Sequence, residues 1–161
     1  MGELGHSLND RELKELIKEG TLIVPDPPGK KIQPTSFEPA LGDVAYSIDT
    51  DAAGIIRPKE NETVYSRIQQ LPEQLQKQVD LTKGFELKKG FTYLIPLKEK
   101  IRMKPSFYVR SSPKSTYGRI FLNTRLLGDH NPCFDELHHH YNDAEPLSLW
   151  LMVQPLAFNV I

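Results

Sequence analysis

Phe91-Thr92-Tyr93-Leu94-Ile95-Pro96-Leu97 is the stretch that decides the fold. It is apolar, rich in aromatic and β-branched residues, and too short for a buried helix, so it reads as a strand of a packed sheet. Working outward, residues 107–110, 119–122, 147–153 and 158–161 read as further short strands. Upstream, Phe85 and Leu87 alternate with charged neighbours, and residues 21–24 and 44–48 add two more strands. The 13 prolines punctuate these runs at intervals that suit many short strands and turns. The pattern predicts a mainly β domain, a sandwich or barrel.

Two segments read as helices instead. Asn9 or Asp10 caps the first; Leu13, Leu16 and Ile17 form its apolar stripe and Gly20 ends it. The second spans the Gln-rich residues 64–79, where Ile68, Leu71, Leu75 and Val79 recur at helical spacing, with an interruption near Pro72. Residues 25–29 read as a Pro- and Gly-rich loop, 32–41 as irregular chain and 49–63 as a polar loop.

A length of 161 residues points to one domain, large enough for a single core. The 20 basic and 21 acidic residues leave a formal charge of −1, which gives no basic face for nucleic acid but allows a local site for a small polyanion. One cysteine, Cys133, rules out a disulfide within the chain and fits a reducing cytoplasm. The N-terminus shows no secretory h-region, and no apolar run reaches membrane-spanning length.

The chemistry concentrates in two places. Arg110-Ser111-Ser112-Pro113-Lys114-Ser115-Thr116-Tyr117-Gly118-Arg119 lies between two predicted strands and packs cations and hydroxyls into ten residues. Phosphate groups are held by such donors, and Gly118 would permit close backbone approach. A solvated polar turn is the competing reading. The second place is residues 129–141, which hold His130, Cys133, His138, His139 and His140 with Asp129, Asp135 and Glu136. Zinc nucleobase deaminases need H-x-E followed by P-C-x-x-C, and Pro132-Cys133 has no second cysteine. A polar connector is therefore favoured over a zinc site. The phosphate-binding motifs G-x-x-x-x-G-K-[ST] and G-x-G-x-x-G are absent, as is the G-x-S-x-G nucleophile turn.

Taken in order, the segments resemble dCTP deaminases of the dUTPase superfamily. Leu8-Asn9-Asp10 through Glu19-Gly20 resembles the family's opening helix, and Ile32-Gln33-Pro34-Thr35-Ser36-Phe37-Glu38-Pro39-Ala40-Leu41-Gly42 its next motif. Ser112 to Arg119 is similar to the serine-rich signature; Thr124-Arg125-Leu126-Leu127-Gly128-Asp129 and Phe134-Asp135-Glu136 resemble the first half of the longer, two-half members. The resemblance implies a distorted jelly-roll, a dUTPase-like β-clip, with an N-terminal helix and one further short helix. It implies one domain over residues 1–161, lacking the family's C-terminal strand and tail. A homotrimer in the cytoplasm, a deoxynucleoside triphosphate ligand (dCTP or dUTP), Mg²⁺ with the triphosphate and zinc-independent hydrolysis of dCTP to dUTP and ammonia are also implied. Carried over, Ser111, Ser112, Lys114, Ser115 and Arg119 become substrate contacts, with Thr124 and Arg125 on the strand facing base and sugar.

Two departures stand out. Where the family carries its water-activating glutamate, three residues before a proline, this chain has Met152, which cannot take a proton. The family's Gly-aromatic-Ser-Gly turn is replaced by His140-Tyr141-Asn142-Asp143. The reading is a dCTP-deaminase-like hydrolase. Its alternative is a catalytically impaired nucleotide-binding or oligomer-building module. A dUTP pyrophosphatase, which would need an aspartate such as Asp129 beside Gly128, is weaker.

Overall fold

A computed structural model describes residues 5–25, 31–49, 56–139 and 145–161. In chain order these form α1 (Asp10–Lys18), β1 (Leu22–Ile23), β2 (Ile32–Gln33), β3 (Ser36–Phe37), β4 (Val44–Asp49), α2 (Val64–Gln69) and β5 (Gln76–Asp80). There follow β6 (Phe91–Ile101), β7 (Val109–Arg110), α3 (Ser115–Arg119), β8 (Leu122–Gly128), β9 (Glu136–Leu137) and β10 (Leu147–Pro155). The main sheet runs β5-β4-β6-β10-β8, with β1 on β6, and every pairing in it is antiparallel.

The period of two along the strands divides the core. One face carries Ile48, Leu94, Leu127 and Trp150, covered by Val64 and Ile68 of α2. The other face carries Leu97, Leu126 and Leu149 at one end, under Leu137 and Val109 of the β7–β9 ribbon, and Ala45, Tyr93, Ile95 and Val153 at the other. The predicted strand 91–97 is the centre of this sheet, extended to Ile101 and buried at Thr92, Tyr93, Leu94 and Ile95.

The first helix is as read. Asn9 accepts the N–H groups of Arg11 and Glu12, Glu12 returns to the Asn9 N–H, and Gly20 (φ 71°) closes a Schellman end in which the Thr21 N–H reaches Leu16. Leu13 is the residue it buries.

Other boundaries shift for local reasons. The helix expected over 64–79 stops at Gln69 before Pro72; Leu75 falls in a 3₁₀ turn and Val79 on β5, where it packs with Ala45 and Tyr93. Residues 32–37 are a small hairpin rather than irregular chain. The strands expected at 107–110 and 158–161 shrink, the first to two residues after a turn in which the Phe107 N–H bonds Lys104, the second to a single bridge between Val160 and Leu87. Residues 115–119 form α3, a third helix where a loop and the start of a strand were expected, its ends closed by backbone bonds from Tyr117 to the Lys114 carbonyl and from Phe121 to the Gly118 carbonyl. Gly42, at the end of the second family-like segment, donates to the Pro96 carbonyl at 2.7 Å, a closeness only glycine allows.

Candidate functional site

The serine loop begins at β7, where Arg110 pairs in register with Glu136 of β9, and ends at Phe121. Lys114 occupies the N-cap position of α3. Phe121 sits in the left-handed region (φ 53°), costly for an aromatic residue, and there the chain turns into β8.

Asp135 ties this loop to the sheet. Its carbonyl accepts the Ser111 N–H at 2.8 Å, one carboxylate oxygen accepts the Leu126 N–H at 2.8 Å, and the other pairs with Arg125 Nε at 2.5 Å. Its backbone is left-handed (φ 62°), a conformation aspartate tolerates better than most residues. The Arg125 guanidinium also lies over the Phe134 ring, 5.4 Å from its centre.

The expected contact residues separate into two groups. Ser112, Lys114, Ser115 and Arg119 are exposed together on the loop, with Ser111 half-buried at its base. Lys114 is held by Glu38 at 2.7 Å, and that hydrogen bond raises the lysine above its ordinary value. The contact joins the 32–42 segment to the loop, two stretches far apart in sequence. The Arg119 side chain makes no hydrogen bond or ion pair among the described residues. Among the described residues nothing outside its own helix turn lies within 4 Å of where a Gly118 Cβ would be, which leaves the space over this glycine open.

Thr124 and Arg125 do not face the same way. Thr124 pairs with Val153, on the buried side that holds Tyr93, and is 6% exposed; Arg125 pairs with Met152 on the opposite side. Met152 sits between Arg125 and Leu94 in register and packs against the cluster of Leu94, Leu127 and Trp150. Next along that face runs an unforeseen amide chain: Asn123 donates to Gln154 at 2.9 Å, and Gln154 donates to Thr92 at 2.8 Å. Its signal was a polar residue alternating into otherwise apolar strands.

Among the described residues no three side chains of the histidine-rich connector come together as a metal site. His138 stacks on Tyr108, with ring centres 5.8 Å apart; His130 bonds the Glu62 carbonyl through its backbone; Cys133 is exposed. His140 and the 140–143 turn lie outside the described residues. α2 is capped by Thr63 through a reciprocal pair with Ser66, and Asp129 accepts the next N–H, that of Val64, at 2.9 Å; burial pushes the Asp129 carboxyl above the ordinary range while hydrogen bonds from Val64 and Ser148 pull the other way. A pyrophosphatase role would need that carboxylate free for water.

An antiparallel sheet with a serine loop hung from its ribbon is the dUTPase-like β fold. Residues 5–161 match the family model described as the 2'-deoxycytidine 5'-triphosphate deaminase (DCD) N-terminal domain, so the chain belongs to that family. It is similar to a protein named dCTP deaminase, dUMP-forming, from Dictyoglomus thermophilum, with 26% identity over 117 residues covering 70% of this chain and 56% of the relative. It is also similar to the crystal structure of 2'-deoxycytidine 5'-triphosphate deaminase from Agrobacterium tumefaciens, at a TM-score of 0.80 and 25% identity over 95% of this chain and 42% of that one. The chain thus spans about half the length of each. No helix among the described residues is long and apolar enough to cross a membrane.

Proposed function

We propose that this chain is a deoxynucleoside-triphosphate-binding domain of the dCTP deaminase family, taking dCTP on the 110–119 loop without activating water itself. The observation that carries this reading is Met152. The position is filled by a thioether packed on an apolar cluster, and the cation opposite it, Arg125, is already neutralised by Asp135. General-base catalysis has no group there, and its loss costs about two to four orders of magnitude in rate.

The loop remains suited to phosphate. Arg119, Ser112 and Ser115 are exposed on one short segment, and Lys114 is steered by Glu38. Mg²⁺ would arrive on the triphosphate oxygens, the way this ion is commonly held, since no three metal-binding side chains come together among the described residues. A homotrimer would bring this loop against a neighbouring copy.

A thermal-shift titration with dCTP and Mg²⁺ tests the binding. We expect stabilisation that grows with ligand, about 2.7 kcal/mol at a hundredfold excess over Kd. Arg119→Ala should weaken binding about tenfold or more, as for a lost charge-assisted hydrogen bond. No stabilisation of the unsubstituted protein, or an Arg119→Ala variant that binds normally, would refute the assignment.

One observation favours active deamination instead. Glu136 lies beside the loop, 3.4 Å from Arg110 and 3.6 Å from His138, and is partly exposed. If Glu136 or Glu145 replaces the missing base, Glu136→Gln or Glu145→Gln abolishes dUTP formation; turnover unaffected by both removes this second reading.

A further inference from the structure

The open cavity between residues 57–67 and the connector after β8, about 620 Å³, is lined by Arg57, Lys59 and Arg67 against a single carboxylate, Glu60. It lies on the α2 side of the sheet, whereas the serine loop leaves from the β7–β9 ribbon on the other face. The geometry points to a second anion site here, one that takes a multiply charged phosphate-type anion through these three cations.

These cations line one space, and two of them, Arg57 and Lys59, have no ion pair among the described residues. Arg57 spends one nitrogen on the Pro132 carbonyl at 3.1 Å. Arg67 bonds Gln70 through Nη1 and pairs with Glu62 through its buried Nε at 3.6 Å, which holds its guanidinium against the cavity wall. Glu62 is occupied by the Lys59 backbone N–H at 3.0 Å, and the Lys59 ammonium has no ion pair among the described residues.

The walls are fixed before any ligand arrives. Asn131, fully buried, donates to the carbonyls of Cys133 and Glu136 at 2.7 and 2.8 Å, which sets the turn carrying Pro132. The His130 N–H bonds the Glu62 carbonyl at 2.8 Å and joins that turn to the 57–67 segment. A site whose donors are held in place loses little order on binding, the condition under which charged hydrogen bonds discriminate well.

Inorganic tripolyphosphate is the probe, titrated into the full chain by calorimetry at low and moderate salt. Arg57→Ala and Lys59→Glu are the variants: the exposed Lys59 side chain has no partner among the described residues, a melting curve of each variant checks that the fold is kept, and Arg119→Ala serves as the serine-loop control. We expect affinity to fall about tenfold or more in Arg57→Ala and Lys59→Glu, with one binding event surviving in Arg119→Ala. Binding unchanged in both cavity variants, binding lost only in Arg119→Ala, or no binding at millimolar tripolyphosphate would each overturn the second site. The first two of these would leave dCTP binding on the loop untouched.

Discussion

A methyl group added at Gly42 would lie 2.8 Å from the Pro96 carbonyl oxygen, on backbone that cannot yield. Gly42→Ala should therefore cost about 1–3 kcal/mol, read as a lower midpoint in urea unfolding. Gly118 is the opposite case. Nothing lies within 4 Å of its missing Cβ and it sits inside α3, so Gly118→Ala should leave stability unchanged or raise it by up to about 1 kcal/mol. If a triphosphate passes over that glycine, the same substitution weakens dCTP binding, and unchanged affinity would place the ligand elsewhere. The residues gave this much away in part only. Leu41-Gly42 was legible as a motif, but why it needs glycine depends on β6, which is remote in sequence. Arg125 reads in sequence toward base and sugar; its pairing with Asp135 depends on a positive-φ turn that has no sequence marker.

At the scale of elements, the start of α2, capped by Thr63, also leans on the Asp129 carboxylate just past β8, which takes the Val64 N–H. Burial raises Asp129 above its ordinary 3.8, so the charged form costs more in the fold than in the unfolded chain. That penalty exists above the unfolded value and vanishes as the pH falls below it. Asp129→Asn keeps an acceptor for the Val64 N–H and removes the charge. Its melting temperature should match or exceed that of the unsubstituted protein near neutral pH, the gap closing toward about pH 4. Asp129→Ala loses the acceptor and should cost about 1 kcal/mol below about pH 4, and less near neutral pH, where it also removes the buried charge. A gap that widens on acidification would show the carboxylate to be stabilising. The helices also show where local reading stops. α1 announced itself through a cap at Asn9 or Asp10, the Leu13, Leu16 and Ile17 stripe and Gly20, all signals local to the helix. The 64–79 periodicity ran through Pro72 into β5 because Leu75 and Val79 sit at spacings that suit a helix face, and only the pairing of β5 with β4 makes Val79 a strand residue. Residues 115–119 carry no apolar stripe, so their helix left no periodic trace.

For the whole molecule, the central strand at 91–97 and the mainly β class followed from local composition, and the family from the order of weak motifs along the chain. The geometry of the site did not follow. Glu38 reaching Lys114, Asn123 and Thr92 meeting through Gln154, and Met152 facing Arg125 are products of sheet order, which no single segment encodes. The two anion-suited regions likewise fall on opposite faces only once α2 and the β7–β9 ribbon have packed. The most direct test of the central claim is one experiment with two readouts: the purified chain with dCTP and Mg²⁺, followed for ligand-dependent stabilisation and for ammonia with dUTP. We expect a saturable rise in melting temperature with no ammonia above the protein-free blank. Sustained ammonia and dUTP release would contradict the reading of Met152 as a lost catalytic position.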